Sequence, residues 1–172
     1  NLAGARTVCK SLGIDGEEFD HAIQGFTGAA RRLEVAADRP EDNFTVYRDF
    51  AHAPSKLKAT QAGVVGSYPE REVTAVFELH TFSSLNKNFL PQYKGSMDAV
   101  NHAVVFYDPD VVKHKRLSAI SIQEVIDCFG REDLEVITSL VKLENRLKKI
   151  PNKNHCVLMM SSGRFSGVEI PQ

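Results

Sequence analysis

Three stretches of this chain, residues 73–79, 102–107 and 155–160, carry apolar side chains at both odd and even positions, so none has the single wet face of a surface strand. Strands of that kind have to be covered on both sides, as in a parallel sheet between layers of helices. Helix-period segments separate them: 55–65, 85–98, 122–129 and the run carrying Leu140, Leu143 and Leu147, with one more strand at 134–138. After residue 50 the pattern therefore alternates helix and strand to the end, which implies right-handed crossovers in an open, largely parallel sheet.

Local signals fill in the rest. Leu2, Ala5, Val8, Cys9 and Leu12 recur at helical spacing, and Gly13 follows as a stop. Asp15 and Glu18 have capping-box spacing ahead of the stripe Phe19, Ala22, Ile23 and Phe26, with Gly25 and Gly28 at its end. Residues 33–37 and 44–50 are strand-like, and the polar segment 38–43 between them has turn chemistry. Ser121 and Glu124 make a second capping box before Ile122, Val125, Ile126 and Phe129, and Gly130 ends that helix. The expected fold is α/β: an open Rossmann-like, mostly parallel sheet flanked by helices, with an N-terminal helical piece and a strand pair.

Composition narrows the function classes. With 172 residues, 42% of them hydrophobic and 25% charged, the chain can bury one good-sized core. The formal net charge is −1 and the 21 basic residues are scattered, which speaks against nucleic acid or a membrane surface as partner. No apolar run approaches the roughly 20 residues that span a bilayer. Cys9, Cys128 and Cys156 are odd in number and lack CxxC spacing, against a disulfide framework or structural zinc; a reducing cytoplasm is the expected location. The chain begins at Asn1 in helix-like sequence with no Met, and is expected to be part of something longer.

In an open parallel sheet, ligands gather at the carboxyl ends of the strands. Four segments fall there or beside it. Asp49-Phe50-Ala51-His52-Ala53-Pro54 brings an acid and an imidazole to a strand end, suited to ribose hydroxyls and to a purine or a proton, although turn capping explains the same residues. Arg31-Arg32-Leu33-Glu34 offers paired guanidinium groups for phosphate or carboxylate, against the plainer reading of solvated arginines. Glu78-Leu79-His80-Thr81-Phe82-Ser83-Ser84-Leu85-Asn86 is a strand end rich in hydrogen-bonding side chains; without GxSxG it does not read as a nucleophile site. Met159-Met160-Ser161-Ser162-Gly163-Arg164-Phe165-Ser166-Gly167 can form an anion-binding nest, but matches neither GxGxxG nor a phosphate loop.

In order and spacing, Gly25-Phe26-Thr27-Gly28-Ala29-Ala30-Arg31-Arg32-Leu33-Glu34 followed by Asp49-Phe50-Ala51-His52-Ala53-Pro54 resembles the opening of the third domain of the Mur ligases, the ATP-dependent enzymes that build the peptidoglycan peptide stem. The helix before them is similar to the last helix of the family's central domain, with Asn1 where the second Asn of its Asn-x-x-Asn motif stands. The resemblance implies that residues 1–26 end a central domain and 27–172 form a ligase C-terminal domain. It implies that Arg32 reaches ATP phosphates and Asp49 the ribose, the two acting in catalysis, and that Asn1 and His52 lie beside the nucleotide. It also implies magnesium, held with ATP mainly by domains other than this one.

Within the family, residues 159–168 resemble the ending of the muropeptide-recycling ligase, which joins L-Ala-γ-D-Glu-meso-diaminopimelate to UDP-N-acetylmuramate. The branch that adds free L-Ala carries His-Arg-Tyr-Ser-Arg where this chain has His80-Thr81-Phe82-Ser83-Ser84. Arg48 stands where the family is often acidic, and Ala53 where it often has a second His. The implied reading is the C-terminal domain of the recycling ligase, inactive alone, working with N-terminal and central ligase domains on UDP-N-acetylmuramate and muropeptides. His80, Ser83, Ser84, Asn86, Ser162 and Arg164 are the expected substrate contacts. The alternatives are the C-terminal domain of UDP-N-acetylmuramate:L-alanine ligase and a non-catalytic nucleotide-binding module.

Overall fold

A computed structural model describes residues 2–26 and 28–168. Six strands, β1 (Glu34–Arg39), β2 (Phe44–Asp49), β3 (Glu72–Glu78), β4 (His102–Phe106), β5 (Glu135–Ile137) and β6 (His155–Met160), form one sheet in the order β1-β2-β6-β3-β4-β5. Only β1 runs antiparallel, against β2; every other neighbour pair is parallel. The last strand among the described residues, β6, thus lies between β2 and β3, with all six of its residues buried.

The two apolar faces of the strands each find a cover. On one face Leu57 and Val64 of α3 (Pro54–Ser67), Tyr93, Met97, and Val125 and Phe129 of α5 (Ile122–Phe129) pack against Val73, Ala75, Phe77 and Leu158. On the other, Leu143 and Leu147 of α6 (Leu140–Leu147) and Ile150 pack against Val76, Val104, Phe106, Val157 and Met159. Each such fully buried side chain contributes about 1.5–3 kcal/mol relative to exposure, so splitting them over two layers stabilises the open sheet from both sides.

Both expected capping boxes form. Asp15 Oδ1 accepts from the Glu17 and Glu18 amides while the Glu18 carboxylate accepts from Asp15 N–H, starting α2 (Gly16–Ile23). Ser121 and Glu124 do the same at α5, which Gly130 ends in the left-handed region. Before α2 stands α1 (Leu2–Ser11), which buries no residue; Leu2, Val8 and Leu12 on its expected apolar stripe are exposed, as is Phe26.

Three expectations are corrected. Residues 85–98 do not form a helix, only a 3-10 turn at Leu90–Tyr93. Asn86 Oδ1 captures the Asn88 amide, Pro91 lacks an N–H, and Gly95 takes a positive φ, so the local backbone bonds compete with the helix that the apolar spacing favours. A short helix, α4 (Pro109–His114), forms where none was read, capped by Asp108 onto the Asp110 amide with proline at its first turn. In the 38–43 segment, β1 continues to Arg39, leaving only Pro40–Asp42 and a left-handed Asn43 for the turn.

At the amino end of the sheet, His155 is buried, its Nε2 is 2.7 Å from Thr74 Oγ1, and its Nδ1 is 3.9 Å from the Glu72 carboxylate. Burial holds its imidazole below the ordinary value; Glu72 opposes this, and His102 and Arg146 add to it. A depressed folded-state value means that the unfolded chain takes up this proton first as pH falls. The stability is complete above about 6.5 and is lost below it, by at most about 1.4 kcal/mol per pH unit. Denaturation free energies measured from pH 7.5 to 5 are expected to show this loss, and His155→Gln is expected to remove it; an unchanged slope in the variant would contradict the assignment.

Candidate functional site

The insertion of β6 brings three strand ends together. Asp49 of β2 and Phe77 of β3 are both in register with Met160, so Phe50, Ser161 and Glu78 leave the sheet side by side. Alternation sends Asp49 toward the α3 face and Glu78 toward the α6 face.

The Asp49 carboxylate is already bonded from two sides. Oδ2 accepts from the Leu33 amide at 2.7 Å, and Oδ1 accepts from the Ala51 amide at 2.7 Å and from Thr60 Oγ1 at 3.4 Å. Leu33 has a φ of +48°, so Asp49 also pins a strained residue in the segment leading from α2 into β1. Next to it, His52 Nδ1 donates to the Phe50 carbonyl at 2.9 Å, which leaves Nε2 as an acceptor, and its ring meets Phe50 edge-on. Tyr93 spans from the core to this turn: its ring stacks on Phe129 while its hydroxyl donates to the His52 carbonyl at 2.6 Å. Burial pushes the Tyr93 phenol up, so it remains a donor.

Glu78, 3% exposed, sits beneath the loop after β6. Ser161 Oγ and the Phe165 amide, the latter at 3.0 Å, donate to its Oε2, and His80 Nδ1 lies 3.6 Å from Oε1. From the other side Arg31 donates to the carbonyls of Gly163 and Ser161, and its guanidinium lies over the Phe50 ring. Between β2, β6 and this loop opens a cleft of about 440 Å³ lined by Arg31, Arg48, Asp49, Arg164, Phe165 and Val168, among others. Among the described residues neither Arg48 nor Arg164 has an ion-pair partner, so two guanidinium groups face an otherwise half-apolar hollow.

The expected residues divide. Asp49 and Arg164 line the cleft; His52 lies on the adjacent turn, and His80 reaches the cleft loop at Gly163. Arg32 is exposed outside the cleft lining, and its neighbour Arg31 occupies the place beside the loop. Ser84 is turned inside, its Oγ donating to the Thr81 carbonyl, while Ser83 and Asn86 are exposed and bonded within their own turn. Ser162 Oγ is buried with no partner among the described residues, and Asn1 lies outside them. Sequence reasoning passed over Glu78 and Arg31 as site residues. A single acid ending a two-faced apolar strand was the signal for the first; nothing in the sequence separated Arg31 from Arg32.

The chain is 25% identical over 165 residues to the UDP-N-acetylmuramate–L-alanine ligase of Desulfitobacterium hafniense, covering 95% of this chain and 36% of the relative. The chain is homologous to the Mur ligases. Its fold is that of the UDP-N-acetylmuramate-alanine ligase from Thermotoga maritima (TM-score 0.70, 21% identity, 96% of this chain and 34% of that one). It is equally seen in a murein peptide ligase from Psychrobacter arcticus (TM-score 0.66, 20% identity, 96% and 34%). No protein-family model matches the sequence. The chain spans about a third of the length of these Mur ligases, and no helix among its described residues is long and apolar enough to cross a membrane.

The loop geometry generates a stability test. A Cβ on Gly163 would stand 2.8 Å from Glu78 Oε2 and 2.9 Å from His80 Cγ, whereas one on Gly63 of α3 meets nothing within 4 Å. Gly163→Ala is expected to destabilise the chain by about 1–3 kcal/mol in chemical denaturation, and Gly63→Ala to stabilise it by about 0.5–1 kcal/mol. Equal effects of the two would contradict the close packing of the loop on Glu78.

Proposed function

We propose that this chain is the C-terminal domain of an ATP-dependent amide ligase that joins the L-Ala-γ-D-Glu-meso-diaminopimelate tripeptide to UDP-N-acetylmuramate in the cytoplasm. The observation that carries this reading is the cleft at the β2, β6 and β3 ends, where Arg48 and Arg164 face a hollow with room for a ligand bearing more than one carboxylate. Planar guanidinium groups bind carboxylates bidentately and fix their orientation. The tripeptide carries several carboxylates at a distance from its reacting amine, and in this reading they meet Arg48 and Arg164 while the amine points toward the nucleotide side.

On that side, Asp49 and the Phe50-His52 turn fit a nucleotide. Asp49 Oδ2 keeps a lone pair beyond the Leu33 amide, available to a ribose hydroxyl, while Oδ1 already accepts from the Ala51 amide and Thr60; His52 Nε2 is an acceptor beside an aromatic ring. Arg32, exposed and without an ion-pair partner among the described residues, is in this reading a phosphate contact made when the ligase closes. In this reading magnesium is held with ATP mainly by domains other than this one. ATP supplies activation of the sugar carboxylate to an acyl phosphate; this chain orients the nucleotide and presents the amine, a positioning contribution worth several kcal/mol of barrier. The exposed apolar side chains Leu2, Val8, Leu12 and Phe26 support residues 1–26 belonging to a preceding ligase domain. Alone, the chain is expected neither to hydrolyse ATP nor to form amide bonds.

The second reading, an L-alanine ligase, is favoured by the names of the curated relatives. Free alanine needs its one carboxylate held next to the amine, and the loop at Thr81–Ser84 offers no arginine for this. In the ligase carrying this chain, kcat/KM for the tripeptide is expected to exceed that for L-Ala at fixed ATP and UDP-N-acetylmuramate. Asp49→Asn, which keeps an acceptor for one of the Leu33 and Ala51 amides where Ala keeps none, is expected to cost about 2–4 kcal/mol of transition-state stabilisation, as is Arg32→Ala. Preference for alanine would overturn the tripeptide assignment, and unchanged ATP kinetics in folded variants would overturn the nucleotide roles.

A further inference from the structure

A buried carboxylate has to be bonded, and Glu78 draws its donors from a single loop. Parallel register sets it beside Ser161 on the α6 face, and the chain then folds back so that the Phe165 amide also reaches its Oε2. The polarity of this network is determined. Ser161 has one hydroxyl proton, which it gives to the carboxylate, so its oxygen accepts the Gly163 amide at 2.7 Å. Two amides flanking Arg164, those of Gly163 and Phe165, are thus tied to one carboxylate, the first through the Ser161 hydroxyl and the second directly.

The loop also needs holding. Phe165, Ser166 and Gly167 have φ of +48°, +49° and +89°, and the two non-glycine residues each cost about 1–2 kcal/mol in that region. A charge-assisted bond to the Phe165 amide and the Arg31 grip on the Gly163 carbonyl offset this cost from opposite sides. Gly163 lies so close over Glu78 that no Cβ fits between them.

We propose that Glu78 is a positioning residue for the amine substrate: the buried template on which the loop from Ser161 to Gly167 is cast, and through which Arg164 is held over the cleft. Glu78 does not touch the substrate; it acts through the backbone on either side of Arg164. The substrate part of this inference rests on the reading of the cleft as the peptide site, whereas the template part rests on the loop geometry alone.

The test uses the full-length ligase with Glu78→Ala, Glu78→Gln, Ser161→Ala and Arg164→Ala, read by steady-state kinetics and by hydrogen exchange at the Gly163 and Phe165 amides. Glu78→Ala is expected to speed exchange at both amides and raise KM for the peptide about tenfold, with KM for ATP within about twofold. Adding Arg164→Ala to it is expected to cost little more, because the two changes remove one interaction. Glu78→Gln, whose carbonyl oxygen accepts from both donors, is expected to restore protection and most of the peptide affinity. Ser161→Ala, which keeps the carboxylate buried, is expected to free the Gly163 amide if Glu78→Ala fails to fold. Wild-type exchange in Glu78→Ala or, failing that, in Ser161→Ala would overturn the template. Faster exchange with peptide and ATP KM rising in parallel would overturn the positioning role. A wild-type enzyme with no activity on the peptide overturns the functional reading instead, and the exchange data still decide the template.

Discussion

The pairing of β6 between β2 and β3 is the constraint on which the rest depends. Before that strand is in place, Asp49 ends one hairpin and Glu78 ends a strand with no neighbour on that side, and the loop that joins them has no anchor. Because β6 comes from the far end of the chain, its insertion has to follow closure of a long loop, and its six buried residues supply the apolar contact that offsets that closure. The site is therefore a consequence of sheet order: one interior strand carries the loop that reads both neighbours.

Opposite facing gives the two acids separate tasks. Asp49, turned toward α3, holds the segment that enters β1 through the left-handed Leu33, and stands beside the turn proposed to meet the nucleotide. Glu78, turned toward α6, holds the loop that carries Arg164. Arg31 ties the two systems together, since it belongs to the segment that Asp49 pins and grips the loop that Glu78 supports. The segment that enters β1 is thus tied to the cleft twice, through the Leu33 amide on Asp49 and through the Arg31 guanidinium on the loop.

Much of this was legible beforehand. Two-faced apolar strands, two capping boxes and Gly130 have local physical meanings, and each element they specify is present. The 85–98 segment misled because its apolar spacing is helical while Asn86, Pro91 and Gly95 divert the backbone, and tertiary burial of Leu90, Tyr93 and Met97 is satisfied without a helix. Within the site, Asp49 and Arg164 were legible as residues at strand ends. The role of Glu78 was not, because it depends on cross-strand register with residues more than eighty positions away, and the choice of Arg31 over Arg32 turns on a positive φ that no local pattern announced.

The most direct test of the central claim is product stoichiometry in the full-length enzyme supplied with ATP, UDP-N-acetylmuramate and the tripeptide. A ligase presenting an amine to an activated carboxylate predicts one ADP and one phosphate released per UDP-linked amide formed, with no ADP when the sugar nucleotide is withheld and no sustained turnover when the acceptor is withheld. ADP release that ignores the sugar nucleotide, or no amide product under conditions where ATP is consumed, would contradict it.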